Sequence, residues 1–105
     1  MLIPVPFTDL SSAKRWPVLV LSSDAHNRSS PDVMVAAITS NFAATTAGLI
    51  IDTPDMEIGA LPHRSLVRAD KIYTLSQTLI VKSYGRLNQR ALDDVLTILD
   101  AVVGR

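Results

Sequence analysis

The 105-residue sequence contains no cysteine. That excludes disulfides and thiolate metal sites, and it is compatible with a cytoplasmic protein. No apolar run approaches the roughly 18 residues that cross a bilayer, so no membrane association is expected. The apolar N-terminus, residues 1–7, lacks a basic region and carries Pro4 and Pro6, so it does not read as a signal peptide. Charge of one sign is also missing, since ten basic residues balance ten acidic ones. Nucleic-acid binders usually carry a basic excess, because phosphates are their first electrostatic target, and neutrality therefore counts against such a partner. The sequence shows no glycine-rich phosphate loop, Gly-x-Ser-x-Gly or zinc-binding spacing, and neither repeats nor low-complexity segments. His26 and His63 lie far apart in loops with no second ligand at metal spacing, so neither a metal nor another cofactor is expected.

What is present fits one domain spanning residues 1–105. Apolar residues make up 48% and charged residues only 19%, which excludes a disordered chain. A chain of this length buries roughly 60–65% of its unfolded surface and can form a core unaided. The charge distribution softens its neutrality. Residues 64–90 carry Arg64, Arg68, Lys71, Lys82, Arg86 and Arg90 against the single acid Asp70, so a local basic face fits on a neutral molecule.

The pattern of elements is mostly β. Residues 2–7 read as an edge strand, because Pro4 and Pro6 cannot donate to a ladder. Residues 16–22 and 32–40 are apolar, β-branched runs, read as strands. Residues 24–31 read as a turn, 41–46 as a loop, 48–52 as a short strand and 53–62 as a loop. Residues 64–68 and 72–82 are two further strand candidates, the second broken near Ser76. Only the last segment has helical period, with Leu92, Val95, Leu96, Leu99, Val102 and Val103 on one face. Asn88 suits its N-cap and Gly104 the residue past its C-terminus. Many short strands followed by one amphipathic helix predict a small, partly open β-barrel of antiparallel strands with the helix packed on it.

Three local features bear on chemistry. Arg68 and Asp70 are two apart, so in an extended segment their side chains share a face. An ion-paired carboxylate stays ionised, and the pair suits phosphoryl transfer, with the carboxylate accepting a proton and the guanidinium stabilising phosphorane charge. It equally suits a surface salt bridge worth about 0–1 kcal/mol. Thr39 and Ser40, followed by Asn41, end a buried strand, where they suit contacts to a phosphate or ribose hydroxyl, or strand-end bonding to the backbone. Lys14, Arg15 and Trp16 put two cations and an aromatic ahead of Pro17. That suits phosphate contact with base stacking, or a solvated loop with a core tryptophan.

Five blocks in order resemble the PemK/MazF family of toxins. They are residues 6–10 (Pro-Phe-Thr-Asp-Leu), 14–22 (Lys-Arg-Trp-Pro-Val-Leu-Val-Leu-Ser), 36–40 (Ala-Ala-Ile-Thr-Ser), 65–75 (Ser-Leu-Val-Arg-Ala-Asp-Lys-Ile-Tyr-Thr-Leu), and 85–87 (Gly-Arg-Leu) with the helix after them. The resemblance covers almost the whole chain. It implies an SH3-like barrel with a C-terminal helix, a homodimer, and a cognate antitoxin that blocks the site. It also implies metal-independent cleavage of single-stranded RNA: the 2′-hydroxyl attacks the adjacent phosphate, leaving a 2′,3′-cyclic phosphate and a 5′-hydroxyl. Thr39 matches the family's threonine at the end of the central strand. Arg68 and Asp70 match the Arg-x-Asp pair of the Kid-like branch, with Asp70 as general base. Arginine is a poor proton donor at neutral pH, so Arg68 is expected chiefly to stabilise charge.

One position departs from the family pattern. Where an arginine usually precedes the strand proline, this chain has Trp16, with Arg15 one residue earlier. Arg15 substitutes as a phosphate stabiliser only where the chain is still loop, since a one-residue offset in a strand reverses the face. The chain also starts just after the Gly-Asp-Ile segment with which the family's first strand usually begins. Trp16 in place of arginine and the neutral overall charge favour a second reading that keeps the fold and drops the chemistry: a catalytically weak or inactive toxin-like binding module, such as an inhibitor of DNA gyrase of the kind the related CcdB toxins are. A barrel domain with another role is the third.

Overall fold

A computed structural model describes residues 4–8, 15–61, 63–80 and 85–104. Among these, seven strands and two helices follow in the order β1 (Pro4–Thr8), β2 (Arg15–Val20), α1 (Asp24–Ser29), β3 (Asp32–Thr39), β4 (Gly48–Ile51), β5 (Met56–Gly59), β6 (Ser65–Ser76), β7 (Gly85–Leu87) and α2 (Gln89–Val102). Short 3-10 turns occupy Thr53–Asp55 and Gln77–Leu79. The strands form a five-stranded sheet in the order β1-β2-β3-β6-β4 and a two-stranded ribbon of β5 and β7. Every pairing is antiparallel. The result is the expected mostly β fold, a small barrel that is not strictly closed. The proline-bearing β1 sits at an edge, where a missing N–H costs no ladder bond.

The continuous apolar runs of β2 and β3 are explained by burial on both faces of the sheet. On one face Leu19, Ala36, Ile38, Ile51 and Val67 pack with Leu87 and with Ala91 and Val95 of α2. On the other, Val18, Val20, Val33 and Val35 form a second cluster closed by Leu75 and Ile80. Each fully buried aliphatic side chain is worth about 1.5–3 kcal/mol. The helix docks as its period requires, and its termini follow the expected chemistry. Asn88 accepts the N–H of Ala91 at 2.8 Å, and Gly104 takes a φ of 83°. Its apolar face ends early, because Val102 and Val103 are exposed.

Three expectations need correction. Residues 24–29 form a helix rather than a turn, capped by Ser23, whose hydroxyl accepts the N–H of His26. The presumed loop at 53–62 contains β5, which the sequence hid because most of it is exposed and shows no alternation. The two candidates at 64–68 and 72–82 are one twelve-residue strand, β6, that ends at Ser76. Its register against β3 breaks midway: Ala37 pairs with Arg68 and Ala36 with Ile72, which leaves residues 69–71 without β3 partners. A bulge of this kind is a common device beside functional sites.

Candidate functional site

The bulge carries the Arg68-Ala69-Asp70 segment. Just before it, one cross-strand row runs Val18, Ala37, Arg68, Gly48 through β2, β3, β6 and β4. Gly48 lets β4 close on β6 there, since a Cβ would lie 2.7 Å from the carbonyl oxygen of Val67. Two residues beyond Arg68, within the bulge, Asp70 lies against the arginine. Nε of Arg68 donates to Oδ1 at 3.1 Å, and its terminal nitrogen donates to Oδ2 at 3.1 Å. This two-pronged pair was expected from strand alternation. It forms instead on the irregular stretch, and among the described residues its side chains remain 24% and 29% exposed, open to a ligand.

Arg68 also lines a shallow cavity of about 170 Å³ with Pro17, Val18, Ala37, Ile38, Thr39, Lys71 and Tyr73. Thr39 and Arg68 therefore share this cavity, and Asp70 adjoins it through its bonds to Arg68. The Thr39 hydroxyl accepts the N–H of Asn41 at 3.1 Å, so it keeps a proton to donate. Asn41 itself shapes the following loop, its side-chain oxygen accepting the N–H of Ala43. Ser40 is exposed beside it. Arg15 is already strand, opposite Thr8, so the loop conformation its substitution required is not met. Lys14 and the side chains of Arg15 and Trp16 lie outside the described residues, as does Lys82 of the basic stretch.

Sequence reasoning missed Thr45. Its hydroxyl donates to Oδ2 of Asp70 at 2.9 Å and accepts the N–H of Ala47 at 3.0 Å. Nothing in a spacing of twenty-five residues announces this contact. It arises because residues 40–47 cross β6, from Thr39 on one side to Gly48 on the other. Along the same crossing Phe42 receives the guanidinium of Arg64 over its ring, 5.0 Å from the centroid. Lys71, one of the basic residues of the 64–90 stretch, and Tyr73 add a cation and a phenol to the cavity.

The electrostatics follow from these bonds. The Arg68 guanidinium, and to a lesser degree the Thr45 hydroxyl, hold the Asp70 carboxyl below the usual carboxylate range against the opposing effect of burial. The same bond raises the Arg68 value. At neutral pH the site thus presents a fixed carboxylate and a fixed cation beside a hydroxyl. That set can accept a proton and stabilise negative charge on an attacked phosphate. Among the described residues no three His, Cys, Asp or Glu side chains gather as a metal site would require.

Comparison with known proteins bears on the family and the fold. The family described as the PemK-like, MazF-like toxin of type II toxin–antitoxin systems matches residues 2–103. Among curated proteins none matches the sequence. Solved structures similar in fold include an endoribonuclease from a mycobacterial species in complex with its cognate antitoxin. That chain is 23% identical, with a TM-score of 0.78 over 99% of this chain and 95% of the other. The Mycobacterium tuberculosis toxin MazF-mt6 is 20% identical, with a TM-score of 0.77 over 95% of each chain. The MazE–MazF structure from Deinococcus radiodurans gives 19% identity and a TM-score of 0.74, over 96% of this chain and 91% of the other.

Proposed function

The chain belongs to the PemK-like, MazF-like toxin family of type II toxin–antitoxin systems, and from that membership we propose that it is an endoribonuclease cleaving single-stranded mRNA by attack of a 2′-hydroxyl. The observation that carries this reading is the solvent-reachable Arg68–Asp70 pair beside the cavity that also holds Thr39. Asp70 takes the proton of the 2′-hydroxyl. The 2′-oxygen bonds to the adjacent phosphorus and the bond to the 5′-oxygen breaks. The 5′-oxygen takes a proton from solvent, leaving a 2′,3′-cyclic phosphate and a 5′-hydroxyl. Arg68 stabilises the charge that develops on the phosphorane oxygens, and Lys71 adds positive potential. Thr39 donates its hydroxyl proton to a phosphate or ribose oxygen. Ser40, Asn41, Lys14 and Trp16 contact the flanking nucleotides, and Arg15 adds long-range attraction for phosphate.

In this reading the toxin works in the cytoplasm as a homodimer, needs no metal, and is held in check by a cognate antitoxin bound over the site. The direct test is incubation with mixed single-stranded RNA, with and without EDTA. Cleavage in chelator to cyclic-phosphate products, lost in Asp70→Ala and Arg68→Ala proteins that still fold, is the expected result. Full activity of the Asp70→Ala protein would remove the assigned base. The replacement of the usual arginine by Trp16 favours a second reading, a toxin-like module that binds a protein target such as DNA gyrase. Tight binding to gyrase with no RNA product would establish it.

A further inference from the structure

Asp70 is held asymmetrically. Its Oδ2 accepts two hydrogen bonds, from the terminal nitrogen of Arg68 and from the hydroxyl of Thr45. Its Oδ1 accepts one from another described residue, Nε of Arg68, and the Asp70 backbone N–H also favours the charged carboxylate. A carboxylate oxygen has two lone pairs in its plane, so Oδ2 is filled and Oδ1 keeps one acceptor position. The Thr45 hydroxyl is itself restrained, because it accepts the N–H of Ala47 while it donates its proton to Asp70.

We propose that Thr45 is a positioning residue for the cleavage reaction: it fills Oδ2 of Asp70 and so makes Oδ1 the oxygen that accepts the 2′-hydroxyl proton. The inference rests on the nuclease reading above and adds to it which atom is the base and what orients it. Arg68 alone would fix the plane of the carboxylate but leave one lone pair on each oxygen. A substrate hydroxyl could then approach either edge, whereas in-line attack on one phosphate requires a single defined approach. The loop from Thr39 to Gly48 thereby serves the chemistry at both ends, Thr39 at the cavity and Thr45 behind the base.

The test compares the wild type with Thr45→Val and Thr45→Ser, using carbon-13 titration of the Asp70 carboxyl and the pH profile of kcat/KM on a single-stranded RNA. Thr45→Val removes a donor to the charged form, so the Asp70 titration moves upward towards the ordinary carboxylate value, and the acid limb of kcat/KM moves with it. At neutral pH kcat falls about 10- to 100-fold with KM unchanged, as loss of orientation demands. Thr45→Ser keeps the hydroxyl and restores both readouts. A titration identical in wild type and Thr45→Val would overturn the inference, as would equal loss of kcat in the Val and Ser proteins. Since the titration needs no turnover, a shifted Asp70 in a protein that cleaves no RNA would sink the nuclease reading while the hold of Thr45 on Asp70 stood.

Discussion

From Val33 to Ile38, β3 is apolar and supplies buried side chains to both faces of the sheet. Opposite it, residues 69–71 of β6 have no β3 partner, and there Asp70 lies against Arg68 and meets a loop residue. The two regions are neighbours in one strand pair, yet different physics holds them. The first is fixed by apolar area and close packing, and tolerates no charge. The second is fixed by three charge-assisted or hydroxyl hydrogen bonds at the solvent edge, where ion pairs add little to stability. The difference shows how a small barrel affords a reactive site. The sheet supplies rigidity, and one register break leaves residues 69–71 without β3 partners, so that the pair stands at the solvent edge.

The sharpest way to separate the two regions is to break the second alone. Asp70→Ala is expected to lower RNA cleavage by about 10²- to 10⁴-fold, the usual worth of a general base. Its thermal midpoint should stay close to that of the wild type, because the lost ion pair is solvent-exposed. Cleavage kinetics and calorimetry on the same preparation check both halves. The pH dependence follows from the lowered Asp70 value. A depressed carboxyl contributes stability above its ordinary value, near 3.9, and loses it as pH falls through the lowered one. Activity should therefore hold through mildly acidic pH and fall only below the ordinary carboxylate range, and the Asp70→Asn protein should lack this acid-dependent loss of stability.

The converse substitution breaks the first region. Leu19 and Leu87 are fully buried in the cluster beneath α2. Leu19→Ala or Leu87→Ala should cost about 2–5 kcal/mol in urea unfolding, through lost transfer energy and the cavity left behind. Cleavage per folded molecule should be retained. A core variant that loses activity without losing stability would blur the division between sheet and bulge.

What could be read from the sequence divides along the same line. The strands 15–20 and 32–39 and the C-terminal helix were legible, because long apolar runs and a 3.6-residue period each have one physical explanation. Helix α1 was not, since six residues with no buried side chain give a period nothing to act on, and its one signal was the Ser23 cap. Strand β5 was hidden for the same lack of burial. The bulge split β6 in two, because Ala69-Asp70-Lys71 interrupts an otherwise alternating pattern. Arg68 and Asp70 were found by spacing, and Thr39 by its place at a strand end. Thr45 was invisible, because its contact depends on where a loop crosses a strand and on no local pattern.

Helix α2, which packs on the core, starts at Asn88. Its side chain accepts the Ala91 N–H, while the Asn88 N–H reaches the carbonyl of Asp55. Asn88→Ala removes only the cap, so a loss of about 1 kcal/mol is expected, seen as a thermal midpoint lower by about 4–8 °C. Activity below the midpoint should be unchanged.

The smallest effect is expected at Arg15. It begins β2 rather than a loop, so it is one residue out of step with the position where the family usually carries arginine. If the bulge holds the chemistry, Arg15→Ala removes only long-range attraction for phosphate. Its KM should then rise a few-fold at low salt, with kcat untouched, and the difference should fade as ionic strength shortens the Debye length from about 10 Å at 0.1 M towards 3 Å at 1 M. A fall in kcat comparable to that of Arg68→Ala would extend the catalytic machinery from β6 to β2, and the contrast between a structural sheet and a reactive bulge would have to be redrawn around two strands instead of one.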